Sequence, residues 1–189
     1  MLLPDFTLSP AGPVSQLLLT QGQATFAAAA ELVRQLPYGR TTNPHDLAAP
    51  LREQRGTCSS KHALLQQLAD EHGFKGLQLV VGVFNMHERN TPAVGATLRQ
   101  YHLAYLPEAH CYLTWQGQRL DHTRPGARAA DFETDLVAER EFAPAELAAG
   151  KVPYHQHYLR SWLASPDARG LSLLQLWRIR EQCIADLAG

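Results

Sequence analysis

The sequence is poor in sulphur: among 189 residues there are three cysteines and two methionines. Cys58, Cys111 and Cys183 are an odd number, far apart, with no CxxC pair. That excludes a disulfide framework and a zinc ribbon, and it fits a reducing compartment. Excess charge is lacking too, since 17 Lys plus Arg against 18 Asp plus Glu leave a formal net charge of -1. Nucleic acids and anionic membranes are bound through surplus positive charge, so neither is expected as a partner. Apolar runs such as 77–84 fall far short of the roughly 20 residues that span a bilayer. The opening Met1-Leu2-Leu3-Pro4-Asp5-Phe6 has no basic region and no uninterrupted apolar core, so no signal peptide is expected. No GxGxxG, Walker loop, HExxH or EF-hand spacing occurs, which leaves nucleotide, phosphate and calcium chemistry unsupported. With 45% hydrophobic and 19% charged residues the composition excludes disorder, and the length suits one domain over 1–189. The expectation is a cytoplasmic globular protein.

The elements follow from local patterns. The first twenty residues, with Pro4, Pro10, Gly12 and Pro13, predict an extended lead-in or short strand. Thr25 caps an alanine-rich helix over 25–36 that Pro37-Tyr38-Gly39 stops. Pro50 limits any helix before Gly56. From Cys58 a second helix is expected, with Leu64, Leu65, Leu68 and Ala69 on one stripe and Gly73 as its stop. The run 77–84 predicts a buried strand, 85–97 a loop, and 101–123 further strand. Within it Gln116-Gly117 marks a short hairpin turn. Beyond Pro125-Gly126 the pattern predicts helices at 144–149, 153–164 and 171–187. Helices, then strands, then helices imply an α+β fold with an antiparallel sheet, a core over about 25–125 and a C-terminal helical extension over about 130–189.

Cys58 stands where thiol chemistry is favoured. With Thr57 as cap, it lies in the first helical turn, where unpaired backbone N–H groups and the positive dipole end stabilise a thiolate. Lys61, one turn on, adds to that field, and the same N–H groups suit a developing oxyanion. The commoner fate of a single cysteine is that of a small buried side chain in a helix–sheet contact. A nucleophilic thiol also needs a histidine base, and the base needs an orienting carboxylate or amide. If Gln116-Gly117 is a two-residue loop, Trp115 pairs with Gln118 and Leu113 with Leu120. His110, Tyr112 and Thr114 then share one strand face, and Asp121, opposite Tyr112, becomes diagonal to His110. A three-residue loop would invert that parity.

Two blocks resemble a known superfamily. Gly56-Thr57-Cys58-Ser59-Ser60-Lys61-His62-Ala63-Leu64-Leu65 resembles the nucleophile helix of transglutaminase-like cysteine proteins. His110-Cys111-Tyr112-Leu113-Thr114-Trp115 with Gly117, Arg119 and Asp121-His122-Thr123 resembles that superfamily's second block, over roughly 45–125 in all. The resemblance implies a papain-like α+β core, a nucleophile helix packed on an antiparallel sheet, with Cys58 as nucleophile, His110 as general base and Asp121 as orienter. It departs from the superfamily pattern at Cys111 and Tyr112 after the histidine, and at His122 after the aspartate. Gln54, by analogy with papain-like enzymes, is the candidate oxyanion donor, and Thr57 and Tyr112 are candidates for the substrate cleft. The implied activity is cysteine-dependent amide hydrolysis or acyl transfer on a peptide or other amide-containing substrate, through a thioester and with no cofactor. The alternative is a catalytically inactive binding or scaffold protein with the same core.

Other features carry weaker expectations. His62 and His72 flank the Cys58 helix and are expected in solvent or on its end groups. His102 is a second candidate base, without a carboxylate at hairpin spacing. His155-Gln156-His157 is the best metal candidate, but an i, i+2 pair diverges on a helix, so no metal site is expected. Tyr154, Tyr158 and Trp162 form a core-facing stripe. The apolar face of Leu171, Leu174, Leu176, Trp177, Ile179, Ile184 and Leu187 is expected to pack on the domain, with a homodimer through this helix as the second reading.

Overall fold

The computed structural model describes residues 3–187; Met1 and Leu2 of the lead-in considered above lie outside the described residues. Seven α-helices and four strands are present among them: α1 (Pro13–Thr20), α2 (Phe26–Gln35), α3 (Ala49–Glu53), α4 (Cys58–Glu71), β1 (Gln78–Met86), α5 (Gly95–Gln100), β2 (Leu106–Trp115), β3 (Gln118–Leu120), β4 (Leu136–Glu141), α6 (Pro144–Trp162) and α7 (Leu173–Asp186). The fold is mixed helix and sheet, with one four-stranded antiparallel sheet in the order β3-β2-β1-β4. By contacts the chain divides into two compact units. Among the described residues, the first comprises 3–81, Cys111–Ala129 and Arg140–Ala148; the second comprises Gly82–His110, Ala130–Glu139 and 149–187.

In the first unit, α4 is the central helix, with α1, α2 and α3 against it. Leu64, Leu65, Leu68 and Ala69 are fully buried on α4, opposite Phe26, Ala29, Ala30 and Val33 of α2 and Leu18 of α1 in the same core. Thr57 caps α4 and Thr25 caps α2, each accepting a backbone N–H with its hydroxyl, from Ser60 and Ala28. The helix α1 replaces the extended lead-in that its prolines suggested. Pro13 sits in its first turn, where a missing N–H costs nothing, and Glu71 at the far end of α4 accepts the N–H groups of Val14 (3.0 Å) and Ser15 (2.8 Å). A cap supplied from so far along the chain leaves no local signature.

The β2–β3 hairpin pairs Trp115 with Gln118, Thr114 with Arg119 and Leu113 with Leu120, as a two-residue turn requires. Gln116 and Gly117 both take positive φ, 50° and 75°, the twist that matches flanking strands.

Further departures from the sequence pattern follow β1. The stretch expected as a loop contains the 3-10 turn Pro92–Val94 and then α5. Strand β4 gives no periodic signal, because Leu136–Glu141 ends in three consecutive charged residues on a mostly exposed edge. The helices expected at 144–149 and 153–164 are one helix, α6, with Pro153 inside it. The proline removes one intrahelical bond, while the buried Leu147 before it and His155, Leu159 and Trp162 after it anchor both halves. Helix α7 begins at the Ser172 cap, close to expectation, and buries Leu176, Ile179 and Cys183. A buried ion pair fixes α7 within the second unit: Arg180 donates twice to Glu108, at 2.9 and 2.6 Å. No helix among the described residues is long and apolar enough to cross a membrane.

Candidate functional site

Cys58 is the first residue of α4, immediately after the Thr57 cap, and is 6% exposed. The cap is reciprocal: Ser60 donates its backbone N–H to Thr57 Oγ1, and Thr57 donates its own to Ser60 Oγ at 3.0 Å. Gly56 precedes it, bridged to Tyr38, with its Cα so close to Lys61 that a Cβ would lie 2.8 Å from Lys61 Cγ. On the following residue, Ser59 Oγ lies 4.0 Å from Cys58 Sγ and 3.4 Å from Cys111 Sγ, so a single hydroxyl stands beside two thiols.

Asp121 directly follows β3. One of its carboxylate oxygens accepts the N–H of Thr123 at 2.9 Å, closing a tight turn over 121–123. Two consecutive side chains of α4 hold this turn. Lys61 donates to the carbonyls of Leu36 and, at 2.7 Å, Thr123. His62 accepts the N–H of His122 on Nε2 at 2.8 Å, and its Nδ1 lies 2.8 Å from the Cys58 carbonyl. Since Nε2 accepts and Nδ1 must donate, these partners select the neutral Nδ1–H tautomer. Asp121 Oδ1 is 3.8 Å from the same Nε2. The His62 ring thus touches the backbone of Cys58 on one side and approaches the Asp121 carboxylate on the other.

The electrostatics here are those of buried charge. Lys61 is fully buried. Burial pushes its pKa from 10.5 down to about 8, against the opposing pull of Asp121 and Cys58. His122 is pushed from 6.5 down to about 4, first by burial and then by the neighbouring His62. Its Nδ1 is buried without a protein partner.

The remaining sequence-derived residues fall as follows. His110 is half-buried on β2 in the second unit, its ring edge-on to Phe132 at 4.9 Å and to Phe84 at 6.3 Å between centroids. Tyr112 is fully buried. Gln54 ends α3 with φ 53° and turns its amide back to donate to the Leu51 carbonyl. His102 is exposed and also has positive φ, 55°. His72 sits at the C-cap of α4 with Nδ1 2.9 Å from the Leu68 carbonyl and Nε2 accepting from Ser9, an end-group role of the kind expected. His155 is buried with Nε2 2.8 Å from the Pro107 carbonyl, whereas His157 is exposed, the divergence that helical i, i+2 spacing imposes. Among the described residues no group of three or more His, Cys, Asp or Glu could hold a metal ion.

Sequence reasoning missed the Lys61–His62 pair as holders of the Asp121 turn. Their partners are backbone groups, which have no residue signature; the only available signal was a lysine and a histidine on the buried side of a helix. Compared with family models, with curated proteins and with solved structures, the chain matches none.

Proposed function

We propose that the protein is a cysteine-dependent amide hydrolase or acyltransferase of the transglutaminase-like kind, with Cys58 as nucleophile, His110 as general base and Asp121 as orienter. The observation that carries the reading is the place of Cys58 at the start of α4, behind the Thr57 cap. Backbone N–H groups at a helix start favour a thiolate and suit a developing oxyanion. The nearby buried ammonium of Lys61 favours the same anion.

In the reaction the Cys58 thiolate attacks the amide carbonyl carbon, forming a C–S bond, and the C–N bond breaks as the His110 imidazolium protonates the departing amine. Water or a second amine, deprotonated by His110, then cleaves the thioester and regenerates the thiol. Asp121 holds the imidazole in its working tautomer. The substrate is a peptide or another amide-bearing molecule.

The test is the pH dependence of iodoacetamide labelling at Cys58, read by mass spectrometry on the wild type and on His110→Ala. Fast labelling that persists below pH 7 and collapses in the variant supports the reading. Slow labelling with a midpoint near the ordinary thiol value of about 8.5, unchanged in His110→Ala, overturns it in favour of an inactive binding protein.

A further inference from the structure

In the proposed chemistry Lys61 supplies only a charge near Cys58, yet its side chain also reaches the turn that carries Asp121. An ammonium taken out of water is costly unless its protons are used, and here it is fully buried. It donates to two carbonyls, Leu36 and Thr123. Thr123 closes the turn that Asp121 opens, because its N–H is donated to the Asp121 carboxylate. The adjacent His62 takes the N–H of His122 in the same turn. Successive residues of α4 therefore grip successive residues of the 121–123 turn, beginning one helical turn from Cys58.

The charges around this grip point the same way. On Lys61 itself the opposing influences are Asp121 and Cys58, both of which favour the ammonium. The 121–123 turn also carries His122, on which His62 and, from α2, Arg34 and Glu31 act. Arg34 and Glu31 pair with each other at 2.7 Å. From α3, Arg52 pairs with Asp46, and Glu53 accepts from Thr42 and Arg55. Helix α1 contributes no charged side chain.

We propose that Lys61 is a positioning residue with an electrostatic role, its buried ammonium seating the Asp121 turn on α4 and biasing the Cys58 thiol toward its anion. This rests on the reading of Cys58 as a nucleophile. A lysine used only as a tether would hold the turn and leave the thiol unaffected; a lysine that also supplies field makes the two ionisations interdependent. Interdependence is reciprocal: whatever Lys61 does to the Cys58 midpoint, Cys58 does to that of Lys61.

The experiment measures iodoacetamide labelling of Cys58 from pH 5 to 9 in the wild type, Lys61→Met and Lys61→Arg. Removing one nearby buried charge is expected to raise the thiol midpoint by about one pH unit, so Lys61→Met labels about tenfold more slowly near pH 6.5 while Lys61→Arg keeps most of the rate. A second arm needs no change at Lys61: its titration is followed by the Cε chemical shift in the wild type and in Cys58→Ser. The expected result is a lower Lys61 midpoint in Cys58→Ser by a matching amount. A depressed wild-type thiol midpoint that Lys61→Met leaves in place, with the Lys61 titration equal in wild type and Cys58→Ser, overturns the inference and leaves the nucleophile reading standing. If Lys61→Met does not fold, the Cys58→Ser arm decides alone. An ordinary thiol midpoint in the wild type overturns the nucleophile reading first and this inference with it.

Discussion

His62 accepts the backbone N–H of His122 on Nε2 and presents Nδ1 to the carbonyl of Cys58, so one buried ring joins the first residue of α4 to the turn that carries Asp121. Its replacement therefore takes the acceptor from the His122 N–H and removes one of the bonds to the Cys58 carbonyl. His62→Ala is expected to lower stability by roughly 2–4 kcal/mol, the cost of a small cavity plus an unpaired buried donor. His62→Gln, whose amide can reach one of the two groups, is expected to recover part of that loss. Urea titrations with unchanged m-values would check both.

Acid titration of stability should show His122. Its pKa falls from 6.5 in the unfolded chain to about 4 in the fold, because burial and His62 oppose the imidazolium. The depressed value means that between those limits the unfolded chain binds the extra proton. Stability is then complete above about 6.5 and is lost as pH falls toward 4, on the order of 3 kcal/mol in all. His122→Phe should flatten this limb in urea titrations from pH 4 to 7; an unchanged slope would remove His122 from the account.

The opposite end of the scale belongs to Lys61. Its folded value of about 8 lies below the 10.5 of the free side chain. From about 8 to 10.5 the unfolded chain again holds the additional proton, so the Lys61 contribution to stability grows as pH rises through that window. Lys61→Met should abolish the rise, measured as the difference in unfolding free energy between pH 7.5 and 10.

Gly12 and Glu71 form a mutually dependent pair. A Cβ on Gly12 would stand 2.3 Å from the Glu71 carboxyl carbon, and that carboxylate is what caps α1. Gly12→Ala should push Glu71 out of place and remove the cap, at about 1–2 kcal/mol. Glu71→Ala alone should cost a similar amount, and the double variant little more than either. A double-mutant cycle by thermal or urea unfolding tests this, additive losses being the contrary result.

In the second unit, Glu108 and Arg180 are a desolvated pair with two hydrogen bonds. Burial pushes the Glu108 carboxyl up, but Arg180 outweighs it and holds the group below the usual carboxylate range. Arg180→Met, which strands the acid, should cost about 3–5 kcal/mol, whereas Glu108→Leu combined with Arg180→Met should restore most of it. Cys183 lies in the same surroundings, its thiol pushed up to about 12 by burial. It should stay unlabelled at neutral pH in the native protein, an internal reference for Cys58.

Where residues signal their own conformation, the sequence was legible. Thr57 before Cys58, the apolar stripe and Gly73 define α4 almost to the residue, and Gln116-Gly117 gives the hairpin register without reference to the rest of the chain. Legibility ended where the deciding partner is remote or is backbone. The cap of α1 comes from Glu71, β4 is a short exposed edge ending in three consecutive charges, and Pro153 reads locally as a break although α6 continues through it. At the site, Cys58 at the head of α4 could be read in advance; the roles of Lys61 and His62 could not, since each is defined by what the 121–123 turn offers.

The hairpin turn has a consequence for what lengths this chain can tolerate. Side chains alternate along β2 and β3, and Gln116-Gly117 sets the phase between them. One residue inserted there would invert every facing pair beyond it and carry Leu120 from the covered side to solvent. Asp121 would move with it, out of reach of the α4 side chains that now enclose its turn. A change of even number, or one placed after Pro125, would leave that phase untouched. At the Gln116-Gly117 turn the chain can thus change length only in steps of two if Asp121 is to keep its place.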